Sequence, residues 1–142
     1  MSVIDAKGAV VGRLASHTAK LALDGKSVSI INIGDSVITG DSIKIEEKYL
    51  ARRHLHNKSN PENSVKWPRR PDLLFKKIVS GMLPKHSPRQ KLALSRIKVY
   101  LGHPHGLAVE PKPDPKAGHR KITAKYITLT QLCNQLGWKI NE

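Results

Sequence analysis

The stretch from Ser2 to Ile33 reads SVIDAKGAVVGRLASHTAKLALDGKSVSIINI, and its reading decides the fold class. Ser2 to Ala6 is a strand candidate, and Lys7-Gly8 turns the chain. Val11, Leu14, Ala15, Thr18, Ala19, Leu21 and Ala22 then recur at helical spacing, while Arg13, Ser16, His17 and Lys20 fall on the opposite face. Gly25 stands just past the helix end, where a left-handed residue is needed. Val28 to Ile33 is β-branched and nearly continuous, the mark of a strand buried on both faces. Strand, helix and strand at this spacing form a βαβ unit, which predicts a mostly parallel sheet and an α/β fold.

Outward from this unit the pattern stays readable. Gly34-Asp35 is a turn and Ser36-Val37-Ile38 a further short strand. Thr39-Gly40-Asp41 offers caps for a helix over roughly 42–51. From His54 to Arg70 the periodicity fails, which makes a long loop. Pro71-Asp72 opens a helix to about Ser80, with Leu74, Phe75, Ile78 and Val79 inward. Ser87-Pro88-Arg89-Gln90 reads as a capping box with proline at the first helical position. The helix that follows sets Arg89 and Arg96 seven residues apart on one face. Ile97 to Leu101 reads as a strand, and Gly102 to Gly118, with four prolines and no periodicity, as an extended segment. Tyr126-Ile127 is a last short strand, and Leu129, Leu132, Cys133 and Leu136 form a final amphipathic helix closed by Gly137. The 142 residues make one domain, with a core at about 1–50, 71–101 and 122–138 and basic loops at about 52–70 and 102–121.

Charge is distributed unevenly along the chain. Residues 1–50 hold six Lys/Arg against six Asp/Glu, whereas residues 51–125 hold eighteen against four. The formal net charge of +14 therefore sits in the middle, together with all nine prolines and six of the seven histidines. Such a region repels itself unless a polyanion lies against it. An anionic membrane surface would require a basic amphipathic helix with large apolar anchors, which the sequence lacks. No apolar run reaches membrane-spanning length and no signal peptide opens the chain. A single cysteine, Cys133, rules out an internal disulfide and suits the reducing cytosol; on its apolar face it reads as a small buried side chain.

Catalytic and metal chemistry find little support. Three residues separate Gly8 from Gly12 and Arg13-Leu14 follows, so the phosphate-loop spacing fails. A small α/β enzyme binding a phosphorylated molecule at that turn stays as an alternative. His103-Pro104-His105 is not a ligand set, and imidazoles also donate to phosphates or stack on bases. Glu46-Glu47 reads as a solvated helix face paired with Lys44 and Lys48. The candidate RNA contacts are Arg52, Arg53, Lys58, Lys66, Arg69, Arg70, Lys76, Lys85, His86, Arg89, Arg96, His103, His105, Arg120 and Lys121. Arginine forks match phosphate bidentately and lysine acts as a point charge. Two roles fit Trp67, stacking on a splayed base or anchoring its loop to the core. Cations dispersed over several loops and helices suit irregular folded RNA better than a duplex groove.

Several segments carry a family resemblance. Val3-Ile4-Asp5-Ala6, Gly12-Arg13-Leu14-Ala15-Ser16, Asn32 and Ile38-Thr39-Gly40 are similar to the opening of the large-subunit ribosomal protein thirteen family. Gly81-Met82-Leu83-Pro84, then Leu94 to Tyr100 and His103-Pro104-His105, resemble its most recognisable segment. The start without the leader usual in the bacterial branch and the tail ending in Leu136-Gly137-Trp138 resemble the archaeal and eukaryotic branch, and the short length resembles the archaeal side of it. The resemblance implies a three-layer α/β/α fold with a four-stranded parallel sheet. It implies a cytoplasmic structural constituent of the large subunit that binds large-subunit ribosomal RNA and neighbouring ribosomal proteins and supports assembly. It implies no catalysis, cofactor, metal or homo-oligomer. A free-standing RNA-binding regulator is the remaining alternative. Residues 54–70 and 102–120 have little apolar surface and are expected to order only on RNA.

Overall fold

The computed structural model describes residues 2–104, Gly118 and 122–139. Five strands and five helices follow in the order β1 (Ser2–Asp5), α1 (Val11–Leu23), β2 (Val28–Ile31), β3 (Val37–Thr39), α2 (Ser42–His54), α3 (Pro71–Met82), α4 (Pro88–Ser95), β4 (Ile97–Val99), β5 (Tyr126–Thr128) and α5 (Leu129–Gln135). Most of the expected extended segment, 105–117 and 119–121, lies outside the described residues.

The βαβ unit forms as its spacing predicts. β2 is central, pairing in parallel with β1 and with β4. The register lays Ile4, Ile30 and Val99 in one row and Val3, Ser29 and Lys98 in the next. Val28 and Ile30 face the main core, yet Ser29 and Ile31 are also buried, so both faces of β2 are covered. The strand ends at Ile31, two residues before the expected limit. Asn32 takes a left-handed backbone (φ 54°) and its Nδ2 donates to Asp5 Oδ1 at 3.0 Å. A short-side-chain amide tolerates that conformation where a β-branched residue does not.

The sheet is predominantly parallel, but the count differs from four parallel strands. Three strands make the parallel sheet, and β3 stands outside it, with one isolated parallel bridge from Val37 to Val10 in the segment between β1 and α1. β3 then pairs antiparallel with β5. The short turn Ile33–Asp35 after β2 leaves no room for a crossover helix before β3, so β3 leaves the sheet plane at once.

α1 buries Val11, Leu14, Ala15, Thr18, Ala19 and Ala22, the predicted stripe apart from half-buried Leu21. It packs against α3 and α4. Gly25 stands past its end with φ +89°. α3 supplies Leu74, Phe75 and Val79 to the core, and α5 supplies Leu129, Leu132 and Cys133.

Two helix ends depart from the reading. α2 runs on to His54, three residues past the expected stop, so Arg52 and Arg53 are helical rather than the start of a loop. Basic residues in a last turn complement the helix dipole, and no breaker intervenes before Leu55. Ser87 caps α4 through Oγ to the Gln90 amide (3.3 Å), but Gln90 Nε2 donates to Ser80 O at 3.1 Å instead of returning to Ser87. The reciprocal box belongs to α5. Thr128 N donates to Gln131 Oε1 at 3.1 Å and Gln131 N to Thr128 Oγ1 at 3.2 Å.

Candidate nucleic-acid interface

The nominated cations divide into two sets. One set turns toward the protein. Arg53 Nη1 donates to the Leu136 carbonyl at 2.8 Å, closing the end of α5. Arg96 Nη1 donates to the Ala22 carbonyl at 3.2 Å, in the last turn of α1. Arg96 is therefore half-buried and does not share an exposed face with Arg89, contrary to the helical spacing argument. Arg70 forms a bidentate pair with Asp72 in the first turn of α3, Nε to Oδ1 at 3.2 Å and Nη2 to Oδ2 at 3.0 Å. This is the one ion pair among the described residues, so Glu46 and Glu47 do not pair with Lys44 or Lys48.

Arg52 lies over two rings. Its guanidinium carbon is 5.0 Å from the Trp67 centroid and 5.5 Å from that of Tyr49, and the two rings meet edge to face at 6.1 Å. Trp67 is half-buried against the core. It anchors its loop to α2. Tyr49 itself is pushed up in pKa, first by burial and against the lowering effect of Arg52.

The other set faces outward, and part of it borders a groove of about 870 Å³ between the end of α3, the start of α4 and the 65–67 segment. Lys85 and His86 line it, and so do Lys77 and Lys91, which are not among the candidates read from the sequence. Lys91 was legible in principle. It stands four residues after the cap Ser87, one turn along the same helix face. No acidic side chain among the described residues lines the groove. Trp67 and Val65 form its apolar side.

The remaining candidates are scattered. Lys58 and Lys66 are exposed on the loop between α2 and α3, Arg89 is exposed on α4, and Lys76 is half-buried on α3. Arg69 is exposed, with its guanidinium 3.6 Å from where a side chain at Gly137 would begin. His103 is exposed, whereas His105, Arg120 and Lys121 lie outside the described residues. Among the described residues no three His, Cys, Asp or Glu side chains cluster to hold a metal ion, and no helix is long and apolar enough to cross a membrane.

Neither Cys133 nor the Gly8–Gly12 turn is arranged for chemistry. Cys133 is fully buried, and burial, with Asp72 second, pushes its thiol up to about 12, so it is no nucleophile. At the Gly8–Gly12 turn, Gly8 N–H donates to the Asp35 carbonyl at 3.1 Å. The nearby depression is lined mainly by Val10, Val11, Val37, Ile38 and Ile78 and offers an anion no cation.

Comparison with known proteins follows the same line. The family model described as Ribosomal protein L13 matches residues 1–106. The Large ribosomal subunit protein uL13 of Methanocaldococcus jannaschii is 43% identical over 140 residues, covering 98% of this chain and 99% of its own. Its counterparts in Methanococcus maripaludis and Aeropyrum pernix are each 39% identical, over 98% and 96% of this chain and 99% and 90% of theirs. These relatives are archaeal, the branch that the resemblance favoured, and none is named as an enzyme. With a match spanning most of the chain and relatives alike from end to end, the chain belongs to the ribosomal protein L13 family.

Proposed function

We propose that this protein is a structural constituent of the large ribosomal subunit that binds large-subunit ribosomal RNA. Its contacts are the exposed cations Lys58, Lys66, Lys85, Arg89 and Lys91 and the half-buried Lys77, with His86 as a further donor. The supporting observation is the division of the basic residues. Arg53, Arg70 and Arg96 spend their donors on the protein's own carbonyls and carboxylate. The exposed set meets no carboxylate among the described residues. Phosphates laid against these cations relieve their mutual repulsion, and the counterions released from the phosphates favour binding. Such contacts position the RNA and do not read its sequence. The inward arginines hold helix ends in place, so the scaffold presents these cations rigidly and supports subunit assembly beside neighbouring proteins.

The test is crosslinking in cells followed by sequencing of the attached RNA. Large-subunit ribosomal RNA is the expected product, and the protein should sediment with the large subunit after a moderate salt wash. Recovery of messenger RNA with a free protein pool would favour the regulator instead.

A further inference from the structure

The groove described above combines features that a phosphate-only surface does not need. One wall is aromatic and held in place, because Trp67 packs on Tyr49 and under Arg52. Gln90 also lines the groove, and its Nε2 donates to Ser80 O and Ser80 Oγ. Its Oε1 accepts from no described group. His86, held at φ 59°, sits at the lip, with Lys77, Lys85 and Lys91 around it. A left-handed backbone at a non-glycine residue costs energy and occurs preferentially at ligand clamps.

We infer that this groove seats a single unstacked nucleotide of the bound RNA, with its base against Trp67 and within reach of Gln90, and its flanking phosphates on Lys77, Lys85 and Lys91. The inference rests on the RNA-binding reading. A volume of about 870 Å³ is too small for a duplex and falls within the range, about 300–1,000 Å³, of pockets that enclose a ligand of nucleotide size. An acidic peptide would satisfy the lysines, but it would leave the fixed aromatic wall and the amide acceptor unused. A splayed base uses all three, since every base has a π-face and an edge that donates or accepts.

Gly81 provides the test. It lines the groove, and a side chain built on it meets nothing within 4 Å. Gly81→Phe therefore fills the groove without removing a charge, and Gly81→Ala is the control. Full-length protein is titrated with a large-subunit ribosomal RNA transcript across a salt series, and nucleotide reactivity of the RNA is probed in each complex. Gly81→Phe is expected to weaken binding about ten- to a hundredfold, the loss of one stacked base, with an unchanged salt slope and one nucleotide newly reactive. Gly81→Ala should bind like the parent. Ultraviolet crosslinking of the unaltered protein, which needs no variant to fold, should leave a mononucleotide adduct on the peptide carrying Trp67 or the one carrying His86.

Equal affinity of Gly81→Phe and parent, or adducts confined to other peptides, overturns the inference while leaving RNA binding intact. Carbodiimide coupling of Lys85 to a neighbouring protein's carboxylate in assembled subunits also overturns it, in favour of an acidic segment. Failure of the unaltered protein to bind the transcript at all would instead sink the RNA-binding reading itself.

Discussion

Arg53 reaches Leu136 across 83 residues of sequence, its Nη1 donating to the carbonyl at 2.8 Å. The bond joins the last turn of α2 to the end of α5, where helix carbonyls lack partners of their own. Arg96 likewise reaches the last turn of α1, where the Ala22 carbonyl accepts from it and from the Gly25 amide. Two of the most basic-looking positions of the chain are thus fold residues. Arg53→Ala is expected to cost about 1.5–3 kcal/mol, the worth of a charged hydrogen bond, and to lower the thermal midpoint by about 5–10 °C. Its salt slope for RNA binding should match the parent. A normal midpoint with a shallower slope would return Arg53 to the interface.

Lys85 and Arg89 should behave in the opposite way. Both are exposed, and neither pairs with a carboxylate among the described residues. Alanine at either position is expected to leave the midpoint unchanged within a degree or so and to make the log–log salt slope shallower by about 0.7. The decisive comparison is between variants measured side by side. If Lys85→Ala and Arg53→Ala prove indistinguishable in slope, the division of the cations is wrong.

What could be read beforehand follows from range. The βαβ unit was legible because α1's stripe from Val11 to Ala22 and β2's run from Val28 to Ile31 each report local periodicity. The roles of Arg53 and Arg96 were not, because their carbonyl partners lie 83 and 74 residues away and no local pattern encodes them. Ser87 was rightly taken as a cap, yet the same motif left two destinations open to Gln90, and Ser80 on the neighbouring helix won. The place of Trp67 was undecided for a related reason: Tyr49, its edge-to-face partner, sits on another element. The groove itself has no sequence signature. It arises where three separate segments meet, which is why Lys77 and Lys91 escaped nomination.

Arg70 tests how much an exposed ion pair contributes. Its side chain is 57% exposed, against 15% for Asp72, and screening by water holds the pair to about 0–1 kcal/mol. Asp72 also lies in the first turn of α3, where the helix dipole stabilises a carboxylate without help. Replacing Arg69 and Arg70 together by alanine should therefore shift the thermal midpoint by only a few degrees, and the shift should vanish at high salt. A large loss that persists at high salt would mean that Arg69 beside Gly137 carries packing that the exposed position conceals.

Gly34 and Thr130 form a pair suited to a double-mutant cycle. Thr130 Oγ1 donates to the Gly34 carbonyl at 2.9 Å. A Cβ on Gly34 would stand at 2.5 Å from that same Oγ1, whereas the next atom, Thr130 Cβ, is at 3.9 Å. Gly34→Ala should cost about 1–3 kcal/mol through overpacking, and Thr130→Ala about 1 kcal/mol for the lost bond. The double variant should cost at least about 1 kcal/mol less than the sum, because the clashing oxygen has gone. Strict additivity in urea unfolding would show that the turn relieves the clash by moving its backbone.

Cys133 sets a pH dependence whose sign can be worked out. Burial first, and Asp72 second, raise its thiol from 9.0 to about 12 in the folded protein. Below pH 9 the thiol is neutral in both states and contributes no slope. Between about 9 and 12 the unfolded chain loses the proton while the folded chain keeps it. The folded state then binds more protons, and stability falls with rising pH by up to about 1.4 kcal/mol per unit. Tyr49, raised for the same first reason, adds a contribution of the same sign at higher pH. Cys133→Ala removes the first contribution and keeps the second. It should be less stable than the parent at pH 7, since a buried atom is lost, yet flatter between pH 9 and 10.5. Thermal midpoints recorded at half-unit steps would show the two curves converging with pH. Parallel curves would mean that the buried thiol does not govern this range.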